Sequence, residues 1–242
     1  MTVGGAALPS RAALPSRAVI FDLDGVLIDS FAVMREAFSI AYDEVVGDGP
    51  APFEEYQRHL GRHFPSIMHI MGLPLEMEDP FTRASTRLAH RVTVFDGVVE
   101  LLRTLPARGL PLAVATGKRG ERARSVLEGL GLLPFFAHVI GSDEVKEPKP
   151  APDIILRALT LLDVPAEQAI MVGDAPTDLA SAHGAGVVAA ARCGALPTRR
   201  NCSPRVPTWC CVARRISSRS ARPPVIWRVP EADGQRHAAV TA

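Results

Sequence analysis

Apolar residues along this chain fall into two kinds of run that alternate. Short stretches, AVIFD (18–22), LPLAVA (110–115), FAHVIG (136–141), QAIMV (168–172) and GVVAA (186–190), have the length and composition of buried strands. Between the later ones lie GVVELLRTLPARG, RGERARSVLEGLG, APDIILRALTLLDV and PTDLASAHGAG, in which apolar residues recur at helical spacing and most runs close at glycine. Strands that alternate with helices predict an α/β fold, a doubly wound parallel sheet with helices on both faces.

From about 31 to 95 the alternation stops. FAVMREAFSIAYDEVV, PFEEYQRHLG, FPSIMHIMG and DPFTRASTRLAHRV read as helices only, separated by Gly and Pro. This predicts an α-helical cap, 31–95, inserted into a core formed by 18–30 and 96–191, with hinges near Ser30 and Phe95–Gly97. Residues 1–17, which contain AALPSR twice in tandem, predict a disordered leader.

Composition changes the picture at one end only. The chain has 242 residues, 47% of them hydrophobic, enough for a packed interior. No apolar run approaches the roughly 18 residues of a membrane span, and the N-terminus lacks a signal-peptide layout, which predicts a cytoplasmic protein with no membrane partner. The net charge of +1 conceals an asymmetry: residues 192–242 hold ten Arg, no Lys and two acids, for a charge of +8, against −7 for residues 1–191. All four cysteines and both tryptophans lie in that segment, without a period of 2 or 3.6. Its Cys spacing does not suit zinc. A basic arm for nucleic acid is a weaker reading than a reading-frame shift that leaves a poorly structured end, so nucleic acid is disfavoured as a partner.

The candidate chemistry follows the strands. Asp22 and Asp24 end the first, and if the chain stayed extended they would face the same side. Two like charges about 4 Å apart repel by about 4 kcal/mol at an effective dielectric of 20, so the pair calls for a cation, a proton or open solvent. VATGK places Thr116, Gly117 and Lys118 after the second strand, KEPKPAPD supplies Lys149, and MVGDAPTD supplies Asp174 and Asp178. Each motif alone has an ordinary structural reading as a turn or a helix cap. Together they place carboxylates, a hydroxyl and ammonium groups at the edge where doubly wound sheets bind ligands. The chain has only three lysines, Lys118, Lys146 and Lys149, and all fall in these loops. Four carboxylates gathered at one edge call for a hard cation with oxygen ligands, best met by Mg²⁺.

The order D-x-D-G-V, T-G, K-P-x-P-D and G-D-x-x-x-D resembles the haloacid dehalogenase superfamily over residues 18 to about 191, in its phosphoglycolate-phosphatase-like branch. That resemblance implies a phosphatase with Asp22 as nucleophile, Asp24 as general acid and base, and Thr116 and Lys149 acting on the phosphoryl group with Gly117 and Lys118 nearby. It implies Mg²⁺ on Asp22, the Asp24 carbonyl and Asp174, with Asp178 behind them. The ligand would be a small phosphorylated metabolite and the protein a monomer or homodimer. Arg62 in the cap, flanked by His59 and His63, is a candidate for a second anionic group of the substrate; His69 and Met68 read as core or surface.

Within the family, the cap lacks a lysine for Schiff-base chemistry, Asp24 is present where dehalogenating relatives lack it, and Met34 stands where mutases usually carry His. The cap is also similar to phosphatases associated with 3-amino-5-hydroxybenzoate biosynthesis in antibiotic pathways. The alternatives are a phosphoglycolate phosphatase or sugar phosphomutase of the same family and, from another class, an inactive or nucleic-acid-associating chain with a shifted basic tail.

Overall fold

The computed structural model describes residues 17–192 and two further strands at 210–214 and 225–228. Five parallel strands form the centre of one sheet: β1 (Ala18–Phe21), β4 (Leu112–Ala115), β5 (His138–Ile140), β6 (Ala169–Gly173) and β7 (Val188–Arg192). The order across it is β5-β4-β1-β6-β7, so the chain winds outward from β1 to one side and then returns to the other. The reversal falls between β1 and β6, which pair from Ala18↔Ala169 to Phe21↔Val172. At such a reversal the loops leaving adjacent strands splay apart and open a crevice.

Period-2 alternation assigns the two faces of the sheet. Val19, Phe21, Leu112, Val114, Ile170 and Val172 pack with residues of α5 (Val98–Ala107) and α6 (Gly120–Gly129). Ala18, Ile20, Ala113, Ala115 and Met171 face α7 (Asp153–Leu162) and α8 (Pro176–Gly184). The small residues on that second face allow those helices to sit close to the sheet.

Between β1 and α5 the chain forms α1 (Phe31–Val45), α2 (Phe53–Gln57), α3 (Phe64–Met71) and α4 (Glu78–Arg87). They enclose a separate cluster around Phe38, Tyr56, Ile67, Met68, Met77 and Phe81. Phe38 stacks on Tyr56 with ring centroids 4.4 Å apart, and Phe64 stacks on Phe81 at 4.5 Å. The all-helical reading of 31–95 missed a short strand, β3 (Thr93–Val94), which pairs antiparallel with β2 (Ile28–Asp29). Two residues are too few to show a period. The helices are therefore joined to the sheet through a two-stranded ribbon.

The tail also departs from expectation. β8 (Cys210–Arg214) pairs antiparallel with β7, and β9 (Val225–Arg228) with β8, extending the sheet to seven strands. CCVAR and VIWR are too short for periodicity to report, yet are rich in residues that favour a pleated surface. The remainder of the tail and residues 1–16 of the expected leader lie outside the described residues; Arg17 already bonds the Gln168 carbonyl at 2.7 Å. Among the described residues no helix is long and apolar enough to cross a membrane.

Candidate active site

Asp22 keeps the strand register, its N–H donating to the Val172 carbonyl at 2.9 Å. The chain then turns, with Leu27 N–H returning to the Leu23 carbonyl at 2.9 Å and Gly25 N–H to the Ile28 carbonyl at 2.9 Å. Asp22 and Asp24 therefore do not share one extended face. Each carboxylate has a different ammonium partner.

Lys149 Nζ lies 2.8 Å from Asp22 Oδ1, 2.7 Å from Asp178 Oδ1 and 3.1 Å from the Ala115 carbonyl, so all three of its protons are used. It is buried and joins the residue after β1, the last residue of β4 and the first turn of α8. Lys118 Nζ approaches both oxygens of Asp24, at 2.7 and 2.5 Å, and Ser30 Oγ donates to the same carboxylate. The Lys118 N–H in turn donates to Thr116 Oγ1 at 3.2 Å. Asp178 completes the base of the site, its Oδ2 accepting from the Asp174 N–H at 3.2 Å and the Ala175 N–H at 3.0 Å.

Carboxylate oxygens of Asp22, Asp174 and Asp178 can all lie within 4.8 Å of one another. Burial pushes the Asp22 carboxyl up to about 7, helped by the charges of Asp178 and Asp24 and opposed by Lys149. Burial and Asp22 likewise push Asp174 up to about 8. Three hard oxygen donors, two of which, Asp22 and Asp174, have suppressed ionisation, fit a small divalent cation, which would relieve their repulsion. Asp24 is different: burial would raise its carboxyl, but Lys118 and the Ser30 hydrogen bond outweigh burial and hold it below the usual range. Gly25, at φ +74°, leaves room for Asp174, since a Cβ there would overlap that carboxylate.

These groups open into a cavity of about 190 Å³ between the sheet edge and the helices. Asp22, Asp24, Thr116, Gly117, Lys118 and Asp174 line it from the sheet side. Arg62 and His63 line it from the cap loop, close to Gly117, whereas His59 lies outside the lining and Met68 is buried in the helical cluster. Lys149 and Asp178 sit beneath the floor. The loop carrying Arg62 contacts the sheet side by its backbone: a Cβ on Gly117 would come within 2.8 Å of the Arg62 carbonyl oxygen, and one on Gly61 within 2.6 Å of Thr177 Oγ1. Tyr56, Phe81 and Arg122 also line the cavity, and sequence reasoning did not find them. Arg122 lies in an E-R-A-R run that reads as a solvated helix face.

A family model described as haloacid dehalogenase-like hydrolase matches residues 19–192. The chain belongs to that family. It is 37% identical over 188 residues to phosphoglycolate phosphatase of Rhodospirillum rubrum, a match spanning 71% of this chain and 77% of that one. With phosphoglycolate phosphatase of Chromobacterium violaceum it shares 33% over 187 residues, 72% and 84% of the two chains. Among solved structures it is similar to CbbY from Rhodobacter sphaeroides in complex with phosphate, at a TM-score of 0.65, 25% identity and coverage of 73% and 85%. A hydrolase from Pseudomonas syringae matches at a TM-score of 0.65 and 26% identity, covering 72% and 83%. This haloacid dehalogenase-like hydrolase is thus a phosphatase of the phosphoglycolate-phosphatase-like kind.

Proposed function

We propose that the protein hydrolyses the phosphomonoester of a small metabolite through an aspartyl-phosphate on Asp22. The observation that carries this reading is Lys149 clamped between Asp22 and Asp178. It fixes Asp22 Oδ1 and leaves Oδ2 without a hydrogen bond among the described residues, facing the cavity as the attacking atom. Asp22 Oδ2 bonds phosphorus as the ester P–O bond breaks, and the leaving oxygen takes a proton from Asp24. Asp24, now ionised, removes a proton from water, which attacks phosphorus, frees Asp22 and releases inorganic phosphate.

Lys118 connects the two roles of Asp24. While its ammonium sits on the carboxylate, Asp24 stays ionised and suited to act as a base. When the ammonium turns to the phosphoryl oxygens, Asp24 loses its counter-charge and can carry the proton the leaving group needs. The Thr116 hydroxyl and the amides that follow it donate to the transferring phosphoryl group. Asp22 and Asp174, with the Asp24 carbonyl, would hold Mg²⁺, and Asp178 positions Asp174 from behind. Bound there, the cation supplies charge neutralisation to the phosphoryl oxygens.

The likeness to phosphoglycolate phosphatases supports a substrate of that kind over one from an antibiotic pathway, for which no residue of the site speaks. The test is phosphate release from 2-phosphoglycolate and an aryl phosphate by the full-length protein, with Mg²⁺ or with chelator, beside Asp22→Asn. Release should require Mg²⁺ and fall by at least about a thousandfold in the variant. Equal release by Asp22→Asn would end the covalent reading.

A further inference from the structure

The cavity has more positive charge than its phosphoryl end uses. Four cations line it, namely Arg62, Lys118, Arg119 and Arg122. Lys118 is engaged by Asp24 at 2.5 Å, and Arg119 lies between Glu78 at 3.8 Å and Asp143 at 3.5 Å. Arg122 has no carboxylate at ion-pair distance among the described residues. Its recorded contact is with an aromatic ring: the guanidinium carbon stands 5.1 Å from the centroid of Phe81 on α4.

Arg122 projects from the first turn of α6, just after the Thr116–Lys118 loop, so it is a sheet-side residue that reaches the helical side of the cavity. Its charge is felt at both Asp24 and Tyr56. Burial disfavours its charged form, and a partly buried guanidinium without a carboxylate is a state that an anion would relieve. The cation–π contact with Phe81 holds the guanidinium at the cavity wall, where its N–H groups can make a two-point contact.

We infer that Arg122 is a specificity-determining residue that binds a second anionic group of the substrate, away from the phosphoryl group under attack. This rests on the phosphomonoester reading above and narrows the substrate to a compact phosphomonoester with a carboxylate or a second phosphoryl group at its far end. A cavity of about 190 Å³ limits the spacer between the two anions to a few atoms. Arg62 lines the same cavity and adds positive potential from the cap loop.

Binding can be measured apart from turnover with phosphonates, which the enzyme cannot hydrolyse as esters. The full-length protein with Mg²⁺ is titrated calorimetrically with phosphonoacetate, ethane-1,2-diphosphonate and propylphosphonate, in wild type, Arg122→Met and Arg122→Lys. Methionine keeps an apolar stem over Phe81; lysine keeps the charge without the fork. Wild type should bind at least one of the two-anion probes about 30-fold more tightly than propylphosphonate. The preferred probe tells whether the far group is carboxylate or phosphoryl. Arg122→Met should bring the ratio close to one, and Arg122→Lys should leave an intermediate ratio. Because the readout is a ratio, a general weakening cancels. A wild type without preference, or an Arg122→Met ratio within about twofold of wild type, would overturn the inference. Phosphate release measured in parallel separates the two readings: a retained ratio with no hydrolysis of any ester would refute the hydrolase, and hydrolysis without the ratio would refute the role of Arg122.

Discussion

Replacing Lys149 with methionine removes three buried hydrogen bonds and the ammonium that, among the described residues, compensates Asp22 and Asp178 from below. Breaking a buried pair by deleting one partner typically costs about 3–5 kcal/mol, because the other charge stays buried. For a domain of this size each kcal/mol lowers Tm by roughly 2–4 °C, so Lys149→Met should melt on the order of 10 °C below wild type in chelator at neutral pH. The loss also has a pH signature. The Asp22 carboxyl has an ordinary value of 3.8 and is pushed up to about 7 in the folded chain, so the native state holds a proton that the unfolded chain releases. Wild-type stability therefore falls as pH rises from about 4 to 7, by about 1.4 kcal/mol per pH unit for this group, and then levels off. Without Lys149 the Asp22 carboxyl stays protonated to higher pH, and this group goes on costing the variant stability above pH 7, where its contribution in wild type has levelled off. Thermal melts by circular dichroism at pH 6, 7, 8 and 9 should show a gap that widens above pH 7. A gap under about 2 °C, or one that narrows with rising pH, would refute the assignment of Lys149 as the counter-charge.

Other perturbations probe neighbouring parts of the same argument. Added Mg²⁺ should raise Tm more at pH 8 than at pH 5, because Asp22 and Asp174 hold protons at the lower pH; equal shifts would count against binding at these carboxylates. Gly117→Ala places a methyl group 2.8 Å from the Arg62 carbonyl, so the cap loop must withdraw, and KM should rise at least several-fold; an unchanged KM would mean that this contact is not part of the state that binds substrate. Phe38→Ala removes a fully buried ring from the centre of the helical cluster and should cost about 3–5 kcal/mol in denaturant unfolding, with a shift below 1 kcal/mol contradicting the packing described.

Much of the sheet and the loops that carry the clustered carboxylates were legible because both are written locally. AVIF and AIMVG announce strands by composition, and Asp22, Thr116 and Asp174 each follow a strand directly. The partners of those groups were not legible. Nothing local to Lys118 or Asp24 says that they meet, since 94 positions separate them. Arg122 looks like any helical arginine until Phe81, from the inserted segment, is placed across the cavity. The ribbon of β2 with β3 and the outer strands β8 and β9 are two to five residues long, below the length at which alternation becomes a signal.

The ribbon has a consequence for how the molecule is assembled. Asp29 pairs directly with Thr93, so the chain leaves for the helices and comes back at neighbouring positions, about 5 Å apart as paired strands are. Everything between those two residues hangs from a hairpin stem as a single side loop, and a two-residue turn would be long enough to close the stem without it. The sheet and its carboxylates thus form one module and the helices another, joined along the chain by the stem alone although they pack on each other around the cavity. Exchange of one such loop for another would change what enters the cavity and leave the register from Ala18↔Ala169 to Phe21↔Val172 as it is.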